Sequence, residues 1–274
     1  MRKSGVSKSL VTVLLGSVMA AGCSSDPSTP EEKKAKAETL LKAMSASLAG
    51  AKTLTVDTVE TRDRVRAGGQ KTVENSTRTI AIRRPDGAYY RITSDLRDTE
   101  AWYDGKRLTL AMHKDKAWAR GPMPGTLDAA LDFMATEYAI NMPSADLFYS
   151  NPYESYDPAA SKGGWVGRET IDGATCHHLS FEATEVNWEL WLADTPQALP
   201  CRIKIVYKND EGSPASQLTF KNWNLTPTLT ADAFTAKVDE GYERLYMVRA
   251  PTAEPVDDAT TEKTAAAGDA AKKQ

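Results

Sequence analysis

The chain has 274 residues, 41% of them hydrophobic and 26% charged, with a formal net charge of −3 at pH 7. This is the composition of a folded globular protein and excludes disorder for the bulk of the chain. A mildly acidic balance also argues against nucleic acid as a partner, which calls for clustered Lys and Arg.

The chain opens on a targeting signal, expected over residues 1–22. Arg2, Lys3 and Lys8 supply a basic start, and residues 9–19 are an apolar run too short to cross a bilayer as a stable helix. Removing the three basic residues takes the net charge down by three, from −3 to −6. Ala20-Ala21-Gly22-Cys23 resembles the lipobox of bacterial lipoproteins, although Ala20 stands where that motif usually carries Leu. The resemblance implies that Cys23 is the diacylated first residue of the mature protein. The alternative is cleavage by the general signal peptidase, with Cys23 left plain. Two acyl chains anchor a protein stably, since each buried methylene contributes about 0.8 kcal/mol. Membrane attachment through the N-terminal lipid is therefore expected. By the sorting rule of enterobacterial lipoproteins, Ser24 in place of Asp points to the periplasmic face of the outer membrane.

Residues 23–29 read as a short tether, and residues 30–250 as one domain. Thr29-Pro30-Glu31-Glu32 is a helix start, with an N-cap threonine, proline at the first position and glutamate at the third. Leu40, Leu41, Met44 and Leu48 follow at helical spacing, and Gly50 ends the element. From Lys52 the period changes to two. Strands are expected from Leu54, up to Ile82, at Tyr89–Ile92, Ala101–Tyr103, Leu108–Met112 and Ala117–Ala119, with turns at Gly68-Gly69, Arg84–Gly87 and Asp104-Gly105. Thr126 reads as the cap of a helix whose apolar face is Leu127, Ala130, Leu131, Met134 and Tyr138, with a second short helix over residues 143–148. The β pattern resumes at Trp165 and continues through Cys176–Phe181, Asn187–Leu192, Cys201–Tyr207 and Gln217–Trp223, with a last strand at Leu245–Val248. Residues 251–274 are expected to be disordered, because they lack the apolar surface to offset chain entropy. The outcome is an α+β, mainly β architecture: roughly ten strands in a curved antiparallel sheet with helices on one side.

Cys176 and Cys201 pull two ways. An oxidising compartment favours a disulfide between them. Their strands, however, lie two apart in a meander, about 9–10 Å, and a bridge needs Cα atoms within about 7 Å. The strand reading therefore weighs against the bond.

Several stretches together resemble a family of predicted periplasmic proteins of unknown function, grouped by fold with the lipoprotein carriers LolA and LolB. They are Trp102 through Leu110, Pro143 through Leu147, Asp172 through Leu179, Asn187 through Trp191 with Leu199-Pro200, and Tyr207-Lys208 through Gly212-Ser213-Pro214 to Trp223. The resemblance spans about residues 35–248. It implies an incomplete antiparallel barrel, an open half-barrel whose mouth is plugged by helices. Its fold relatives carry acyl chains in the concave face or sense misfolded or mislocalised envelope components.

Candidates for chemistry are few. His113, His177 and His178 are the only histidines, and the sequence holds no zinc, phosphate-loop or nucleophile-elbow motif. His177 and His178, adjacent on a strand, point to opposite faces and cannot share one metal. Cys176 and His178 share a face and could form a thiol–imidazole pair; a half-buried cysteine beside a hydrogen-bonded histidine is the plainer alternative. No metal, cofactor or catalytic residue is expected. The apolar faces offer more. Trp102, Leu108, Leu110, Trp118, Leu131, Met134, Trp188, Leu190, Ile203 and Ile205 are candidates to line a ligand cavity, or else they form an ordinary core. The expectation is a non-enzymatic envelope lipoprotein that binds a lipid or a lipoprotein acyl chain. The alternative is a sensor or scaffold for an envelope protein. A void of several hundred Å³ beneath the helices at 126–148 would mark the carrier.

Overall fold

The computed structural model describes residues 26–140, 142, 144–156 and 161–249. The leader at 1–22, Cys23 and the tail at 251–274 lie outside the described residues. Helix α1 spans Pro30–Gly50. Its start is a reciprocal cap: the Glu32 backbone N–H donates to the Thr29 hydroxyl at 3.2 Å, and the Thr29 N–H donates to the Glu32 carboxylate at 3.0 Å. Such a cap stabilises a helix by roughly 1 kcal/mol. Ala37, Leu40, Leu41, Met44 and Leu48 form its buried stripe.

Twelve strands make one curved sheet. The first six are β1 (Thr53–Val65), β2 (Lys71–Arg83), β3 (Gly87–Ser94), β4 (Asp98–Tyr103), β5 (Arg107–Met112) and β6 (Ala117–Pro122). A helical insert follows: α2 (Leu127–Glu137), a 3-10 turn (Ala145–Phe148) and the single turn α3 (Pro152–Ser155). The sheet then resumes with β7 (Lys162–Ile171), β8 (Ala174–Glu182), β9 (Val186–Ala193), β10 (Pro200–Tyr207), β11 (Ala215–Asn224) and β12 (Glu243–Leu245). Across the sheet the order is β12-β6-β5-β4-β3-β2-β1-β11-β10-β9-β8-β7. Two meanders thus meet where β1 pairs with β11. One face gathers α1, α2 and the inward-pointing strand residues into a single core that includes Leu54, Val56, Ile80, Leu108, Phe181, Leu190 and Ile203.

Two expectations are corrected. The last strand is Glu243–Leu245, and it pairs parallel to β6. Of the expected residues beyond it, Tyr246 and Val248 are 82% and 79% exposed, with Arg244 over the Tyr246 ring, while Met247 packs against the core. The second correction concerns the cysteines. Cys176 and Cys201 are bonded, with Cα atoms 6.7 Å apart. The expected separation of about 9–10 Å presumes an unbroken ladder. Cys201 instead sits at a register shift between Pro200 and Arg202, and Cys176 lies opposite Ala193, the last residue of β9. An extra residue in one strand bends it and takes its side chain off the regular grid. Here that brings two next-but-one strands within bonding distance.

Candidate functional site

Strands β2 to β5 and helix α2 enclose a cavity of about 260 Å³. Register sets its floor. Ile80 lies opposite Tyr90, Tyr90 opposite Ala101, and Ala101 opposite Leu110, so a row across four strands points to one face. The roof is the apolar face of α2, with Leu127, Ala130, Leu131 and Met134, and Phe148 closes one side. Ala88, Ala101 and Ala130 hold positions between large neighbours and leave the space unfilled.

Polar contacts hold α2 in place over this space. The Thr126 hydroxyl accepts from Ala129 N–H at 3.4 Å, and Leu127 N–H donates to the Pro85 carbonyl at 2.7 Å. On the outer side, Ser150 N–H donates to Asp128 at 3.0 Å and the Tyr149 hydroxyl donates to Asp132 at 2.7 Å. Burial, helped by Asp132, pushes the Tyr149 phenol well up, so it stays protonated as a donor.

One end of the cavity is polar. Tyr90, Arg97 and Thr99 line it. Behind Tyr90 lies a buried ion pair between Arg78 and Glu60, with side chains 1% and 2% exposed. Arg78 Nε donates to the Tyr90 hydroxyl at 2.8 Å. Ser76 and Ser216 donate to the Glu60 carboxylate at 3.1 and 2.6 Å. A buried pair is tolerated only with such additional hydrogen bonds, because both charges have lost water. Burial also raises the Tyr90 phenol above its ordinary value.

A second, more open hollow of about 320 Å³ lies between β9, β10 and the segment around α3. Tyr156 and Asp146 border it. Burial raises both groups above their ordinary values.

The ten candidate lining residues divide among these places. Leu108, Leu110, Leu131 and Met134 line the first cavity. Trp188, Ile203 and Ile205 line the second hollow, and Leu190 is fully buried in the core between the elements. Trp102 and Trp118 belong to neither. Trp102 lies opposite Thr109, and Trp118 opposite Ala111, which puts both on the other face of the sheet. There Trp102 packs on Tyr89, and Arg120 and Arg244 lie over Trp118.

The thiol–imidazole pairing does not exist, because Cys176 is committed to the disulfide. His178 stacks on Trp191 at 4.3 Å and sits between Glu169 and Glu189, at 2.7 and 2.8 Å. His177 faces the interior, where the Trp165 indole N–H donates to its Nδ1 at 3.1 Å and Asp194 lies 3.0 Å from its Nε2. Burial pushes the His177 imidazole below its ordinary value, against the opposing pull of Asp194. His113 joins Glu100 and Tyr242 near the β12 edge. Among the described residues, no group of three or more His, Cys, Asp or Glu is placed to hold a metal ion, and no helix is long and apolar enough to cross a membrane.

The family described as "Predicted periplasmic protein (DUF2092)" matches residues 37–246, from within α1 to just past β12. The chain belongs to this family. No curated protein matches it. Among solved structures, this DUF2092 chain is similar to an uncharacterised conserved protein from Thermus thermophilus. The identity is 10% and the TM-score 0.43, over 77% of this chain and 98% of the other. It is similar to lipoprotein LppX of Mycobacterium tuberculosis at 14% identity and TM-score 0.41, over 74% of this chain and 97% of that one. A LolA superfamily protein from Nitrosomonas europaea shows 14% identity and TM-score 0.36, over 73% and 98%. These likenesses carry no statement about ligand or activity.

Sequence reasoning missed Tyr90, Arg97, Ala101 and Ala130 as cavity residues of the DUF2092 chain. The signal was present for two of them. Tyr90 and Ala101 follow from hairpin parity once Leu110 is taken as inward-facing. Nothing local marked Arg97, which sits in the turn between β3 and β4.

Proposed function

We propose that this DUF2092 protein is a non-enzymatic, lipid-anchored protein of the bacterial envelope that holds a hydrophobic ligand, a lipid or a lipoprotein acyl chain. The observation that carries the reading is the void of about 260 Å³ between the sheet and α2, walled almost entirely by aliphatic and aromatic side chains. An interior built only for stability would close such a space, since unfilled volume forfeits dispersion contacts. The polar ties on the roof's outer side are exposed, so it opens at the cost of its buried apolar face, Leu127, Ala130, Leu131 and Met134, with the sheet left paired. Cys23 supplies the anchor, at the periplasmic face of the outer membrane. Native mass spectrometry of the full-length protein, gently extracted from its membrane, tests the proposal. The expected result is two populations, with and without bound lipid, both carrying a diacylglyceryl mass at Cys23. Protein that carries no lipid and takes up no fluorescent fatty acid contradicts it.

A second reading, a platform for an envelope protein, has one observation in its favour. Leu245, Tyr246 and Val248 stand exposed at the β12 edge of the sheet, where a short strand leaves backbone groups unpaired. Crosslinking through a photoreactive group at Tyr246 separates the two. A protein adduct without lipid uptake favours the platform.

A further inference from the structure

We infer that the cavity takes a single-chain amphiphile with an anionic head, carboxylate or phosphate, seated at Arg97 and Tyr90 with its tail under α2; this rests on the carrier reading above. The argument begins with a local count of charge. Four guanidinium groups, of Arg62, Arg64 and Arg78 on β1 and β2 and of Arg97 in the turn after β3, meet two carboxylates, of Glu60 and Glu74, on one face of the sheet, where Arg62 lies opposite Glu74 in the ladder. Arg78 is taken by Glu60. Glu74 is taken by Arg64, whose Nε donates to it at 2.6 Å, and by the Ser94 hydroxyl at 3.1 Å. Burial opposes the charge on Glu74, yet Arg64 holds its carboxyl below the ordinary value.

Positive charge therefore exceeds negative on this face, and of the four groups it is Arg97 that borders the cavity. Its Nε reaches no nearer than 3.7 Å to Glu74, and it is buried without a hydrogen-bond partner. Nη1 of Arg78, on a side chain only 1% exposed, is likewise buried and unpartnered. Tyr90 spends a lone pair on Arg78 Nε, which leaves its own O–H free to donate. Arg97, Tyr90 and Thr99 all border the cavity. The apolar space therefore ends, among the described residues, at an Arg97 Nε without a hydrogen-bond partner, whose carboxylate neighbour Glu74 stands 3.7 Å away, beside the Tyr90 O–H. Buried N–H groups in that condition carry a desolvation penalty that an anionic oxygen relieves, and charge-assisted hydrogen bonds are the strong ones. Arg97 is 39% exposed along its side chain, which places the head at the mouth and the tail inside.

The space holds roughly nine heavy atoms at the ~30 Å³ a water occupies in the liquid, so ten-carbon probes suit it. The test titrates the full-length protein with decanoate, decyl phosphate, decanol and decyltrimethylammonium, at low salt and neutral pH. Decanoate or decyl phosphate should bind about tenfold or more tightly than decanol, and the cationic probe should bind most weakly. Raising salt should erode the preference at the exposed mouth. The variant Arg97→Gln should bring the affinity ratio of decanoate to decanol close to one. Equal binding of decanol and both anions, or a variant that loses decanol and the anions alike, overturns the head-group assignment and leaves the carrier reading standing. No binding of any probe overturns the carrier reading itself, and this inference with it.

Discussion

Filling the void from the floor should abolish uptake without harming the fold, and Ala101→Phe does this most directly. Ala101 lies at the centre of the floor, opposite Tyr90 on one side and Leu110 on the other. The cavity of about 260 Å³ holds roughly nine heavy atoms at ~30 Å³ each. At about 0.8 kcal/mol per buried methylene, a chain that fills it gains about 7 kcal/mol, a dissociation constant on the order of ten micromolar. Phenylalanine adds about six carbons beyond the alanine methyl, or ~180 Å³ on the same scale, leaving room for about three atoms. The lost transfer energy is then about 5 kcal/mol, a weakening of more than a thousandfold. Stability should stay within about 1 kcal/mol or rise, because the ring enters empty space rather than displacing neighbours. The assay is uptake of a fluorescent fatty acid competed by decanoate, with thermal melting as the folding control. A stable variant that takes up the probe with unchanged affinity refutes the cavity as the binding site.

Three further outcomes follow from the geometry. Replacing Cys176 and Cys201 by serine opens a crosslink with a sequence separation of 25. Melting should show a loss of about 3 kcal/mol, while a change near zero would mean that the bridge is incidental. Arg78→Met leaves Glu60 buried and unpaired and should cost about 3–5 kcal/mol in chemical denaturation, whereas Arg78→Met with Glu60→Leu should recover most of it. Equal losses in the single and double variants would contradict the buried-pair account. Burial holds the His177 imidazole below its ordinary 6.5, so the unfolded chain binds its proton first as pH falls. Stability from this group is full above about pH 6.5 and is lost as pH drops through the lower folded value. Melting curves of His177→Gln should accordingly fall less steeply than wild type between about pH 7 and 5. A parallel decline in both would assign the effect to other groups.

The parts of this fold legible in the sequence are those set by near neighbours. Thr29 and Glu32 announce α1 through the cap they form. Thr126 announces α2, and Asp104-Gly105 the β4–β5 hairpin. The alternation in Leu108, Leu110 and Met112 fixes which face of β5 is inward. Errors arise where one strand has to be set against another. Size alone puts Trp102 in the cavity, yet in the hairpin Tyr103, not Trp102, lies opposite Leu108. Directly opposed residues share a face, so parity excludes Trp102, and the same rule excludes Trp118. The disulfide escapes the strand reading for another reason. Its geometry depends on a register shift at Cys201 that no local pattern reports. The polar end of the cavity is illegible because its members come from β1, β2, β3, the following turn, β4 and β11, and a buried arginine looks the same in sequence as a solvated one. Glu60 and Ser216, 156 positions apart, meet only in the folded sheet.

The central claim is that the space under α2 is a binding site for an apolar chain. Methyl NMR of the full-length protein during a decanoate titration tests it most directly. The account predicts saturable shifts in the methyl signals of Leu108, Leu110, Leu131 and Met134, which line the cavity, and none at the exposed Val73 on the opposite face. Saturable binding that moves surface methyls while those four stay fixed would contradict it.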